Sequence, residues 1–281
     1  MLFVLILSLC VIYVDFHRTK SNMGKATVNG LGAIPYVLAG KATQPSQYRV
    51  LVPWLTNLMC GRMFRQENYM VATYLPTYAL LRSLAIGISL SLCHTLWGNP
   101  MYVAVLAIFY MVVAIYDYTD VYFEIAFLAL SMLIFKYDYS LLVVPICILA
   151  GLNRETAVVI PFLAIPSGDW VNVVLSLFGV GVGLAIPRLM YGKARRYCEV
   201  SQHRMNWHDL KSLISEYPMV FNETFHFVLL AGLMVVATVL SPSYYMVIAW
   251  VLFVLLAIPA RWREVRVFAP CFFLMIPSLL R

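Results

Sequence analysis

The sequence predicts an all-α, polytopic membrane protein with about nine or ten transmembrane or re-entrant helices. Of its 281 residues, 62% are hydrophobic and only 12% are charged, about half the charged fraction of an ordinary soluble domain. So few charges cannot cover the wetted surface of a globule. Mean hydropathy is +0.83, and the apolar residues gather into runs separated by short polar breaks. A soluble enzyme, a disordered chain and a coiled coil are thereby excluded. The whole chain, 1–281, is expected to form one integral-membrane domain. Its core is 1–166, with a first loop at 15–68, and its C-terminal helices are 167–281, with a second loop at 191–222.

Residues 1–14 are apolar without the basic start and small-residue cleavage site of a signal peptide, so they read as a short first span ending at Asp15. The polar segment 15–68 carries seven basic and two acidic residues, net +5. Within it, 31–40 and 50–60 are half-apolar and suit interfacial helices. The run 69–97 would be about 43 Å long as a helix, more than the roughly 30 Å hydrocarbon core, so it tilts or projects. Arg82 interrupts it. Gly98-Asn99-Pro100 is a turn before the third span, 101–116, and an acidic break at 116–120 precedes the fourth, 121–135. The runs 141–152 and 156–166 are split by Asn153-Arg154-Glu155. Neither crosses a full bilayer alone, so they are two short spans or a re-entrant pair, with the break buried in protein or water. Residues 170–190 make another span, and 224–241, 244–260 and 267–280 are the last three.

The net charge of +7 is unevenly placed. With a cytoplasmic N-terminus, the loops 15–68, 116–120, 153–155, 191–222 and 261–266 all lie outside, and they hold sixteen of the twenty basic residues. The positive-inside bias alone favours the opposite orientation. The cysteines do not define a redox compartment. Cys10, Cys93, Cys147 and Cys271 sit in apolar runs, and no paired spacing argues for a disulfide between Cys60 and Cys198. No zinc spacing is present, and His203 and His208, five apart, do not share a helical face.

An ionisable group at membrane depth is a functional hypothesis by default, because it is expensive to bury. Five places qualify: Asp15, Arg49, Arg82, the group Asp117, Asp120 and Glu124, and Arg154-Glu155. In the alternating topology all but Arg82 lie near one membrane face, which puts acids and arginines around a shared cavity. Each also has a structural reading. Asp15 caps a span, Arg49 snorkels from an interfacial helix, and Asp117 and Asp120 are solvated loop acids. Arg82 reads equally as an ion-pair partner or a ligand contact. Arg154-Glu155 ranks highest. Adjacent residues on a helix point apart, so each needs a partner from elsewhere.

The segments Gln47-Tyr48-Arg49-Val50-Leu51-Val52-Pro53-Trp54-Leu55, Asp120-x-x-x-Glu124-x-x-Phe127 and Ala150-Gly151-Leu152-Asn153-Arg154-Glu155-Thr156-Ala157 resemble the GT-C superfamily. Its members are polytopic glycosyltransferases that use polyprenyl-phosphate-linked sugars, and the likeness is to small bacterial-type relatives. The resemblance spans roughly residues 1–166. It implies a cytoplasmic N-terminus and a catalytic cavity on the opposite, extracytoplasmic or lumenal face, which overrides the charge bias. It implies a catalytic acid just after the first span, matching Asp15, and a second before the fourth, matching Asp120 with Asp117 as rival. It assigns Arg49 and Arg154 to the lipid phosphate; Arg82, outside the matching segments, is a further candidate for that contact by its depth. Relatives often follow the first acid with a tyrosine or second acid; here Phe16-His17-Arg18 follows.

The mechanism so implied is a single displacement with inversion. A carboxylate, Asp15 or Asp120, acts as general base on an acceptor hydroxyl. The arginines meet charge developing on the leaving phosphate. Glu155 orients Arg154, while Tyr48, Trp54 and the tyrosines at 116, 118 and 122 stack on a sugar or anchor at the interface. The expected partners are a polyprenyl-phosphate sugar, an acceptor sugar, lipid or protein, and the bilayer, with no nucleic acid. No cofactor is expected; a divalent cation on the acids is left open, without ligand spacing to support it. Two readings of other classes stand beside this one: a transporter or lipid flippase with charges at broken helices, and a non-catalytic membrane scaffold acting through its two loops.

Overall fold

A computed structural model of the chain describes residues 2–22, 34–42, 49–60, 71–113, 119–192, 223–257 and 268–280, with the backbone alone for 18–22, 71–75, 112–113 and 223–226. Every regular element among them is helical. The elements fall into two units, Met1–Tyr197 and Cys198–Arg281.

In the first unit, α1 is Leu2–Asn22, α2 Ile34–Leu38, α3 Leu51–Cys60, α4 Val71–Trp97, α5 Pro100–Val113, α6 Thr119–Tyr137, α7 Ser140–Asn153, α8 Ile160–Ala164 and α9 Trp170–Tyr191. The apolar run of the first span stops at residue 14, yet α1 continues through Asp15, so this acid lies within a helix and not at its end. The two half-apolar stretches of the first loop form α2 and α3. Local chemistry sets the helix ends. Gly98 takes the left-handed conformation (φ 71°), and Asn99 Oδ1 accepts from the Met101 amide at 2.9 Å, with Pro100 opening α5 where its missing N–H costs nothing. Asp169 caps α9 by accepting from the Val171 amide at 2.8 Å. Past its far end Gly192 (φ 63°) donates to the Arg188 carbonyl at 2.9 Å.

The core is organised around α6, which packs against α4, α7 and α8 and is buried over most of its length. α7 lies against α9 through glycines. A side chain at Gly179 would meet Cys147 Cβ at 2.7 Å and the Val144 carbonyl at 2.8 Å, and one at Gly183 would meet Gly151 Cα at 3.0 Å. Residues 144 and 147 thus face 179, and 151 faces 183, so α7 and α9 run in the same direction. The chain between them, a 3₁₀ turn at Glu155–Val159, α8, and a second turn at Ile165–Ser167, is the return leg. The break falls at Arg154, whose backbone is extended (φ −155°, ψ 153°).

Two helices, Pro76–Trp97 and Trp170–Tyr191, are long and apolar enough to cross a membrane. The other apolar helices are 10–17 residues long, about 15–26 Å at the helical rise.

The second unit holds α10 (Glu223–Leu240), α11 (Tyr244–Ala257) and α12 (Ala269–Leu279). Phe227, Phe253 and Phe268 form a mutual cluster with each pair of ring centroids 5.1 Å apart. Trp250 Nε1 donates to Thr238 Oγ1 at 2.9 Å, satisfying the indole inside an apolar contact.

Candidate functional site

One end of the first unit gathers chain segments far apart in sequence. The Val50 amide donates to the Leu152 carbonyl at 3.0 Å, which fixes Arg49 beside the end of α7. The Thr119 amide at the start of α6 donates to Tyr78 Oη at 3.3 Å. Trp54 Nε1 reaches Tyr191 Oη, also at 3.3 Å, and Gly40 packs beside the Tyr191 ring. Ile34, Val52 and Tyr78 form the apolar floor that seats α2 and α3 there. The starts of α4 and α6 and the ends of α7 and α9 therefore meet at this end.

The charged residues at this end form an alternating row. Arg49 donates from Nε to Glu155 Oε2 and from Nη1 to Asp120 Oδ2, each at 3.3 Å. The same Asp120 oxygen lies 3.4 Å from Arg154 Nε. Arg154 Nη1 donates to Glu124 Oε2 at 2.5 Å, and Thr156 Oγ1 donates to the other Glu124 oxygen. The order is Glu155, Arg49, Asp120, Arg154, Glu124, from outside inward. Side-chain exposure drops from 33% at Glu155 through 16% and 11% to 1% at Arg154, and Glu124 is likewise buried at 4%. Asp120 and Glu124, four apart on α6, share one face and differ in depth by about 6 Å.

Three carboxylates thus meet two guanidiniums. Burial alone would lower the Arg49 pKa, but Glu155, Asp120 and Glu124 reverse the sign and hold it above the ordinary arginine value. Arg49 therefore stays charged. The extended backbone at Arg154 lets consecutive side chains diverge, Arg154 inward to Glu124 and Glu155 outward to Arg49. The guanidinium of Arg154 remains underused: Nη2 is buried and has no hydrogen-bond partner among the described residues. Asn153 Oδ1 and Thr119 Oγ1, both close to Asp120, are in the same condition. Among the described residues no group of three or more His, Cys, Asp and Glu is placed to hold a metal ion.

Asp15 and Arg82 belong to a different group. Arg82 Nη2 and Tyr122 Oη (3.2 Å) both donate to Asp15 Oδ1, and the Arg82 guanidinium carbon lies 5.5 Å from the Tyr122 ring centroid. Tyr110 stands edge-on to Tyr122 at 4.8 Å and donates to Ser89 Oγ at 2.8 Å. This group ties α1, α4, α5 and α6 together. Asp15 and Asp120, expected at one cavity, thus engage different cations, and Tyr122 is occupied by Asp15 and Arg82. Asp117, Tyr48 and the tyrosines at 116 and 118 lie outside the described residues. Trp54 is half-buried and held by Tyr191.

Two contributors had no signal as single residues. Asn153 Nδ2 donates to the Asp120 carbonyl at 2.8 Å, and Thr156 holds Glu124. Both flank Arg154-Glu155, and the signal that could have found them is the need of a buried polar kink for neutral partners. Comparisons with protein-family models, curated proteins and solved structures give no match.

Proposed function

We propose that this chain is a polytopic membrane glycosyltransferase of GT-C type, moving a sugar from a polyprenyl-phosphate donor to an acceptor hydroxyl on the extracytoplasmic or lumenal face. The observation that carries this reading is the convergence of Arg49 and Arg154 on one oxygen of Asp120, at the end where α7 breaks. The bilayer setting is supported by the outward faces of α1, α7 and α9. There Leu5, Leu9, Leu141, Val174, Leu177, Phe178 and Leu189 are exposed, and large exposed apolar areas mark surfaces that are covered by lipid or a partner.

Asp120 is the base in this reading. Both acids are buried, but Asp120 lies next to the more exposed Arg49 in the row, whereas Asp15 is held by Arg82 and Tyr122. The acceptor hydroxyl gives its proton to Asp120 and its oxygen attacks the anomeric carbon from the face opposite the lipid phosphate. The phosphate leaves with the bonding pair, and Arg49 and Arg154 meet its growing charge. Glu124 and Thr156 position Arg154 from beneath. Arg82 is structural in this scheme.

The test is transfer from labelled lipid-linked sugar by protein in nanodiscs. Asp120→Asn should lose at least about a hundredfold in rate, with Asp15→Asn as comparison. Full transfer by Asp120→Asn ends the assignment. One observation, the surplus of a carboxylate over the guanidiniums, favours a second reading as a cation-coupled transporter. Uptake of solute into proteoliposomes driven by a proton gradient, without sugar transfer, would select it.

A further inference from the structure

The charge count at the site poses a difficulty for any anionic ligand. Arg49 is shared between two carboxylates, and Arg154 is engaged by Glu124 and lies beside Asp120. A phosphate entering this arrangement unchanged would meet three carboxylates against two guanidiniums. The row is not uniform, however. Its inner pair, Arg154 with Glu124, is tight at 2.5 Å and almost wholly buried. Its outer pair, Arg49 with Glu155, is loose at 3.3 Å, longer than the 2.7–2.9 Å typical of charge-assisted hydrogen bonds. Glu155 is also the most exposed member and opens a 3₁₀ turn directly after the extended residue Arg154, so its side chain can swing to water without moving α7 or α8. Meanwhile Arg154 Nη2 is a buried donor with no hydrogen-bond partner among the described residues.

We propose that Glu155 is a displaceable counter-ion: it holds Arg49 when no ligand anion does, and it yields to a phosphate group that takes Arg49 together with Nη2 of Arg154. This rests on the reading of the site as one for a phosphate-bearing donor, and it adds a way for that site to accept the group. Exchanging one anion for another adds less negative charge to the row than bringing in an anion beside all three carboxylates. Glu155 also keeps Arg49 pointed at Asp120 between turnovers, so the phosphate meets an oriented guanidinium. No covalent change is involved.

The experiment is equilibrium binding to the full chain in phosphatidylcholine nanodiscs, with decaprenyl phosphate in the bilayer as one probe and inorganic phosphate in the buffer as the other. Glu155→Gln should bind at least one probe about tenfold more tightly than the unsubstituted protein, because the competing charge is gone. A gain with decaprenyl phosphate alone assigns the site to a lipid headgroup; a gain with both assigns it to phosphate in general. Glu155→Ala, with its melting temperature measured alongside, should show the same gain, which damage to the fold would not produce. Adding Arg49→Gln should remove it. Equal or weaker binding by both Glu155 variants overturns the proposal, as does a gain that survives Arg49→Gln. Tighter binding without any sugar transfer keeps this inference and ends the transferase reading; transfer without tighter binding does the reverse. Absence of phosphate binding by every variant ends both.

Discussion

Arg154 is 1% exposed and Glu124 is 5% exposed, so neither can exchange its partner for water. Removing one leaves the other as an uncompensated buried charge, which costs about 3–5 kcal/mol. Arg154→Ala should therefore lower the melting temperature strongly, and adding Glu124→Gln should recover part of the loss; additive losses on melting would show that the two do not act as a pair. Asp15 and Arg82 allow the same test without touching the proposed chemistry. Asp15→Asn should destabilise, while the double change Asp15→Leu with Arg82→Met should come close to neutral, as apolar replacement of a whole buried pair often does. At this scale the sequence was informative about which residues matter and poor about who meets whom. Arg49, Asp120, Arg154 and Glu155 stood out because a charge in an apolar chain is costly. Nothing in the linear order told Asp15 to choose Arg82, 67 positions away, over the arginines of the other cluster. Asn153 and Thr156, though named within the break and its motif, carry no role of their own in the sequence, because neutral polar groups are cheap enough to be unremarkable until a buried partner is seen.

The helices show a similar division. Apolar runs located α4, α7, α9, α10 and α11 closely, since a run long enough to bury has few alternatives to a helix in a chain this poor in charge. Hydropathy misplaced the end of α1, because it tracks the solvent and not the hydrogen bonding that continues the helix past Asp15. The seam between α7 and α9 gives the sharpest prediction for an element. Gly179→Ala and Gly183→Ala should each cost about 1–3 kcal/mol by forcing the helices apart, because their new methyl groups meet the backbone or Cβ of α7. Gly181, two residues from each, faces open space, and Gly181→Ala should leave thermal unfolding in detergent nearly unchanged. Three equal melting temperatures would refute the close packing.

For the molecule as a whole, the apolar residues exposed on α1, α7 and α9 make a bilayer its expected solvent. The protein should remain with the membrane in alkaline carbonate and leave it only in detergent; release by carbonate would contradict that surface. In the proposed transferase reading, the end where α2, α3 and the ends of α7 and α9 cluster faces the extracytoplasmic side. A cysteine replacing the exposed Lys41, in a background lacking Cys60 and Cys198, should react with a membrane-impermeant maleimide from the extracytoplasmic side of sealed vesicles. Reaction from the cytoplasmic side would reverse the topology and restore the orientation that loop charge alone favours.

The placement of α6 has a mechanical consequence. A helix buried over most of its length has little amphipathic contrast to fix its angle about its own axis. Asp120 and Glu124 point one way and Tyr122 points nearly the other, and each side is gripped by a charged partner from another segment, Arg154 at the break after α7 and Asp15 on α1. The two groups act as opposed detents. A turn of α6 by one residue, about 100°, would disengage both at once, so the azimuth of the helix, and with it the aim of Asp120, is held by charge as well as by packing.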